Sequence, residues 1–557
     1  MSATTTPVHS ASDGSVTAFA AALPSDLSRS PLLGILAVIL GAGTVTLAGR
    51  LLTLGLADLK GNVGISFDAG AWIGSAFNVA IMFIGPFTVF FGALLGARRV
   101  LLVCAGIFAL VCAYLPLVHS YSLLIVLLAV AGLTSGTFYP LTLTFTLRNI
   151  PLRYTVLTIA LYATCIEGAL NFAPSLYGFF RDQLSWRWMF WCPGVIAPIV
   201  MLCAYYGIPP SPKPPASRKA PSFVGYLYAS AGFALVYAAL DQGQRLDWWR
   251  SSVFTALFAS GVFFLSCSLI RRFMGPNPLI DLPYLRQWNT LVLGSTLFAF
   301  RFALLATALI IPLSLSIRGF DATQTGPAVV WTAVPELFMT LVAAYFLIRG
   351  LDSRLLMATG FACIGFACIL NAQFTSAWSA ENYFRTELLM AVGQSFAFLG
   401  LVTSIVLQAL FSGGMASPQR VLTFSAFFHT VRLFGGESGT VLMGHFIAKR
   451  EQLHSFLLGL QVQRGDWITE ETVHNLTLGL AAKSSGLATA AGRAVDIVGS
   501  KVRLQAYALT MIDAFHLVAW MCVATLLATA TLRRSPLSFG DLPGLQRKSK
   551  STPGDKP

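Results

Sequence analysis

Apolar runs of about 20 residues recur along the whole chain, as in "LLVCAGIFALVCAYLPLV" at residues 101–118. At 1.5 Å per residue, a helix of about 20 residues matches the roughly 30 Å hydrocarbon core of a bilayer. Within lipid the backbone must satisfy its own hydrogen bonds, which leaves helices or closed barrels. The runs show no alternating period and are too long for membrane strands, so the expected fold class is an all-α polytopic membrane protein. Composition agrees: 55% of the 557 residues are apolar and only 11% are charged, against about 25% charged in soluble domains. The mean hydropathy is +0.71. The net charge of +14 does not read as nucleic-acid binding, because the basic residues gather at the ends of apolar runs instead of forming a stripe with interleaved aromatics. The nine cysteines all fall inside predicted apolar helices with no CxxC pair, so neither a disulfide framework, a metal site nor a cofactor is expected.

Fourteen spans are expected: 32–56, 71–95, 100–118, 121–147, 155–180, 188–208, 222–240, 251–270, 290–316, 327–348, 355–375, 387–411, 421–447 and 509–532. Alternate connections carry thirteen Lys and Arg on one side and seven on the other, and the tail from Arg533 to Lys556 adds six to the richer side. That bias predicts both termini in the cytoplasm. Pro-rich stretches such as "PPSPKPPASRKAP" divide the chain. The expected units are a disordered cytoplasmic tail (1–31), a six-helix bundle (32–208), two extra helices with cytoplasmic linkers (209–289), a second six-helix bundle (290–532) and a basic cytoplasmic tail (533–557). Within the second bundle, 448–508 is expected to form a long external loop, with a helical stretch over 468–484. The tail over 1–31 lacks the short apolar core and cleavage site of a signal peptide. A weak internal echo links "LGARRVLLVCAG" after the second span to "RGLDSRLLMATG" after the tenth, as parallel six-helix halves require.

Several stretches carry a family resemblance. "APSLYGFFRDQLSWRWMF" resembles an antiporter motif followed by the SWRW start of a sixth helix. "DQGQRLDWWRS", "PNPLIDLPYLRQWN", "IPLSLSIRGFDATQTG", "HTVRLFGGESGTVLMGHFIAKR" and "QAYALTMIDAF" follow in the expected order. Together they resemble the fourteen-helix drug:proton antiporters of the major facilitator superfamily (EmrB/QacA-like). The resemblance covers nearly the whole chain. It implies two six-helix bundles plus two linker helices, with export by alternating access. The antiporter motif falls on Pro174, Tyr177 and Gly178, and the cytoplasmic gating loop on Arg98 and Arg99. The resemblance also implies that such pumps work with a periplasmic adaptor and an outer-membrane duct in two-membrane bacteria. This sequence departs from the pattern at informative places: Gly49 stands where the first helix usually carries Asp, with Asp58 nearer the outer end. Leu128 stands where the fourth helix carries Arg, and Tyr177 fills a glycine position.

An ionised side chain at bilayer depth costs about 2.5–3.5 kcal/mol on insertion scales, so it must pair or line a wet cavity. Glu167, Glu336 and Glu437 are the proton-coupling candidates. Arg50, Arg301, Arg432 and His429 are the cavity candidates, with Tyr139, Tyr162, Phe138 and Trp331 as an aromatic wall. Arg cannot usefully lose its proton, so the arginines are read as anion or carboxylate contacts. Glu437, five residues after Arg432, points about 140° away from it on a helix. The leading expectation is a proton-driven exporter of amphipathic toxic compounds or hydrophobic organic anions in the plasma (inner) membrane. A dedicated metabolite or siderophore exporter of the same fold is the alternative. A polytopic membrane enzyme is the distant one, since no histidine starts an HxxxxD or HExxH pattern.

Overall fold

The computed structural model describes residues 31–150, 152–209, 223–274, 286–411, 418–463, 465–483 and 486–533. Nearly all of both expected tails and most of the two Pro-rich linkers lie outside them. Twelve apolar helices run in order before the first long break in hydropathy: α1 (Leu32–Val63), α2 (Phe67–Gly92), α3 (Ala97–Leu117), α4 (Tyr121–Leu147), α5 (Tyr154–Leu184), α6 (Trp188–Gly207), α7 (Phe223–Gly243), α8 (Ser252–Arg271), α9 (Trp288–Ser316), α10 (Ala322–Ile348), α11 (Ser353–Asn371) and α12 (Ala380–Phe411). Then follow α13 (Pro418–Gly459), α14 (Trp467–Ala481) and α15 (Leu487–Ala530). Thirteen of these are long and apolar enough to cross a membrane. The remaining expected span, 421–447, lies in α13, where His429, Arg432 and Glu437 dilute the apolar run.

Two apolar cores form. One gathers α1–α6 around Leu51, Phe108 and Phe138; the other gathers α9–α13 and α15 around Phe300, Phe361 and Phe515. Helix α5 straddles them, because its Val156, Ile159, Ala160 and Ala163 belong to the second core while Ile166, Ala173 and Tyr177 belong to the first. Between the bundles, α7 and α8 pack on each other through small residues: a Cβ at Gly232 would meet Leu265, and one at Gly261 would meet the Val236 backbone at 2.9 Å. Such close approach is how helices associate in lipid.

The internal echo has a structural counterpart. Arg98, at the start of α3, donates to the Tyr205 carbonyl at the end of α6 (2.5 Å). Arg354, at the start of α11, donates to the Leu532 carbonyl just past α15 (2.6 Å). In each half a guanidinium from the third helix satisfies a carbonyl left open where the sixth ends. The Arg98 contact therefore stays within one bundle.

The segment expected as a loop over 448–508 is mostly helical. α13 continues to Gly459 and α15 begins at Leu487, with α14 lying between. At 44 residues, α15 is about 66 Å long, roughly twice the hydrocarbon thickness. Asp513 links the two long helices, in ion-pair contact with Arg450 Nε at 2.9 Å and lying 2.8 Å from His454 Nε2.

Candidate functional site

Pro174 lies inside α5, and its neighbourhood meets α10 of the other bundle. A Cβ at Gly178 would lie 3.0 Å from the Thr323 Cα, and one at Gly326 would lie 2.7 Å from the Ser175 Cα. Asp182, expected in an open turn, sits in a π-turn that ends α5 (Phe180–Leu184) and accepts from Thr323 Oγ1 at 2.6 Å. The small residues of this motif thus join the two bundles. Tyr177 faces the other way and donates to Asp58 of α1. The two departures from the family pattern, a displaced acid and a filled glycine position, meet as a hydrogen-bonded pair.

One to two turns below, Glu167 is 1% exposed and Glu336 is 1% exposed. Asn171, one turn after Glu167 on α5, donates through its single amide nitrogen to Glu336 Oε2 on α10 (3.1 Å) and to Gln394 Oε1 on α12 (2.9 Å). Gln394 in turn donates to Thr307 Oγ1 on α9 (3.0 Å). This buried chain crosses from one bundle into the other. Sequence reasoning missed Asn171, Gln394 and Thr307, although Asn171 stands at i+4 from Glu167, the spacing that puts two side chains on one helix face. It also missed Glu387 of α12, which is fully buried and accepts from Thr332.

The second half of the site is aromatic and cationic. Tyr139 of α4 stacks against the His429 ring with centroids 4.5 Å apart, lies beneath Arg432 at 4.4 Å, and hydrogen-bonds Thr46 of α1. Buried Tyr162 also lies within electrostatic reach of Arg432. Glu167 lies within electrostatic reach of Arg301 and Arg432, and both its carboxylate oxygens are buried without a hydrogen-bond partner; so are both His429 nitrogens and Arg301 Nε. A buried polar group left unpaired costs about 1–3 kcal/mol. Five such atoms on three side chains mark a place built for a ligand, water or proton.

Four expected site residues make other contacts. Arg50 donates from Nη2 to the Ala308 carbonyl at 2.6 Å, while its Nε is buried without a hydrogen-bond partner. Pro312 explains why that carbonyl is free, since a proline withholds the N–H that would bond the residue four before it. A π-turn over Ala306–Ile310 widens α9 at the same place. Glu437 leaves the central group, as its 140° offset requires, and accepts from Tyr237 Oη of α7 at 2.7 Å. Phe138 packs into the first core against Phe108, and Trp331 is 44% exposed against Phe384, so neither contributes to the wall. Of the gating-loop pair, Arg98 is accounted for above and Arg99 is exposed. Among the described residues no cluster of His, Cys, Asp or Glu suits a metal ion.

Comparison with known proteins agrees with this architecture. A sequence profile described as Major Facilitator Superfamily matches residues 33–440. The chain is 24% identical over 444 residues to the multidrug export protein EmrB of Haemophilus influenzae, covering 79% of this chain and 85% of that one. It is 27% identical over 404 residues to the probable multidrug resistance protein EmrY of Escherichia coli K12, covering 71% and 76%. It is 24% identical over 403 residues to the fatty acid resistance protein FarB of Neisseria gonorrhoeae, again covering 71% and 76%. Among solved structures, the proton:xylose symporter XylE superposes with a TM-score of 0.51 at 11% identity, over 94% of this chain and 100% of that one.

Proposed function

The chain belongs to the Major Facilitator Superfamily, and from that premise we propose that it is a proton-coupled exporter of amphipathic toxic compounds or hydrophobic organic anions. One observation carries the reading: Glu167, buried between the bundles with neither oxygen hydrogen-bonded, faces two guanidinium groups. A carboxylate so placed binds a proton or yields its cationic partners to an incoming anion.

The mechanism follows from what links the bundles. A proton reaching Glu167 removes its charge, and Arg301 and Arg432 are then left facing one another, with Tyr139 stacked below. Like charges left at that depth favour the alternative arrangement of the two bundles, so proton binding drives the change of access that an antiport cycle needs. The Asn171–Glu336–Gln394 chain and the Gly178–Thr323 and Gly326–Ser175 contacts are the joints that rocking must part or slide. Relatives named for multidrug export and for fatty acid resistance support the breadth of substrate, and the arginine-rich site supports the acidic class.

The orientation with both termini in the cytoplasm of the plasma (inner) membrane rests on the Lys and Arg count. The helical extension formed by α13, α14 and α15 exposes Phe456, Trp467, Ile468 and Leu487, which fits a periplasmic adaptor leading to an outer-membrane duct. The deciding experiment is flux in proteoliposomes under an imposed pH gradient, with aromatic acids, fatty acids and cationic dyes as substrates. Acid export driven by inward protons is expected; dye flux without acid flux would overturn the anionic class. Many unrelated substrates mark a multidrug pump, a single one a dedicated exporter.

A further inference from the structure

A cavity of about 40 Å³ opens between α9, α12 and α13, lined by Leu297, Ile405, Phe424, Phe428 and Val431. Among the described residues lining it, Thr290 alone carries a polar side chain, and its hydroxyl is buried without a hydrogen-bond partner. Gly294 adds room, because a Cβ there would meet nothing within 4 Å. The polar side chains next in line bond to one another. Gln408 donates to Gln287 Oε1 at 2.7 Å, Asn289 to Gln408 Oε1 at 3.3 Å, and the Arg533 amide to Asn289 Oδ1 at 3.2 Å. A water held in a cavity needs about two to four polar partners, and this lining offers one side-chain hydroxyl. The cavity therefore suits carbon better than water.

It also leads to the cationic half of the candidate site. Thr290, Gly294, Leu297 and Arg301 recur at helical spacing on one face of α9, and Phe424, Phe428, Val431 and Gly435 do so on α13. The two faces meet closely just beyond the cavity. An added Cβ at Gly435 would lie 3.4 Å from Phe298 Cα, and one at Gly436 would lie 2.8 Å from Arg301 Nη2. Gly294 and Arg301 are separated by about 10 Å along the helix, and Arg301 Nε is buried without a partner. A narrow apolar well thus runs up to a guanidinium with hydrogen-bonding capacity to spare.

We propose that this cavity holds the tail of a linear amphipathic carboxylate whose head group meets Arg301, and that its depth sets the longest chain accepted. The assignment rests on the acidic substrate class proposed above and names the part of the molecule that selects within it. Gly294 and Leu297 are the length-determining positions, since one leaves the well open and the other narrows it on the way to Arg301.

The test is equilibrium binding of radiolabelled decanoate to the full-length purified protein, competed by saturated acids from hexanoate to tetradecanoate. In wild type, affinity should rise about fourfold per added methylene until the cavity is filled, and then stop rising. Gly294→Leu should move that limit to shorter chains and Leu297→Ala to longer ones. Damage to the fold would weaken binding at every length without moving the limit in opposite directions. The same limit in all three proteins overturns the proposal. So does competition by 1-decanol as strong as that by decanoate, which would mark a tail taken from the bilayer with no head group at Arg301. No gradient is applied in the binding assay, so the two readings separate. Acids that bind with shifted limits but are not exported under a pH gradient would remove the proposed function and leave the tail pocket standing; proton-driven export with unshifted limits would do the reverse.

Discussion

Glu167 is buried and Arg50 half-buried near the contact between the bundles, and their surroundings give them different partners. Glu167 has no hydrogen-bond partner for either oxygen. Glu167→Gln is therefore expected to fold and to carry out substrate counterflow, while export driven by a pH gradient is lost; undiminished driven export in reconstituted vesicles would remove it from the proton path. Arg50 is committed to the carbonyl that Pro312 leaves open. In a double-mutant cycle, Arg50→Leu and Pro312→Ala should couple by about 1.5–3 kcal/mol, the range for a hydrogen bond from a charged group. Restoring an N–H at residue 312 gives Ala308 an internal donor, so the loss of Arg50 then matters less. Thermal unfolding of the four proteins in detergent reads the coupling, and simple additivity would show that the arginine does something else.

At the scale of the element, α5 matters most because it belongs to both cores and touches α10 along its length. Its approach to α10 is set by absent side chains. Gly326→Ala would bring a Cβ to 2.7 Å from the Ser175 backbone, closer than atoms can approach, so the two helices must separate there. The expected outcome is reduced flux together with increased labelling of a cysteine placed at Ser175; unchanged labelling would mean that the helices adjust without parting. The paired arginines at the starts of α3 and α11 make a quieter prediction. Arg98→Gln and Arg354→Gln should each lower stability by about 0.3–1 kcal/mol, the usual worth of a cation at a helix C-terminus. The two effects should add, because the sites lie in different bundles.

At the scale of the whole molecule, the layout is two bundles and a bridging pair of helices. Much of that layout was legible in the sequence. The number and order of apolar runs, the motif series and the echo between "LGARRV" and "RGLDSR" all pointed to it. Each is a local property: a run of apolar residues long enough to span lipid forms a helix whatever its neighbours are. The segment 448–508 was read as a loop with one helical stretch over 468–484, because its polar sequence carries no continuous apolar run; α14 falls on that stretch, and the ends of α13 and α15 extend the helix to either side of it. It carries the largest-scale prediction. Full-length protein photocrosslinked from Trp467 is expected to capture a periplasmic adaptor in two-membrane cells, and capture of lipid alone would show that this face lies on the membrane instead.

The sequence by itself determined that the chain is a bundle of membrane helices, which family it resembles, and which few charges lie at depth. Those charges are conspicuous because lipid excludes them unless something compensates. Only the tertiary structure decided what compensates each one: a proline-freed carbonyl for Arg50, a tyrosine for Glu437, an asparagine for Glu336, and no hydrogen bond at all for Glu167. The partners lie between 165 and 258 residues away along the chain for the first three. No local pattern encodes contacts at such separations, because they are set by how whole helices pack and not by the order of residues within any one of them.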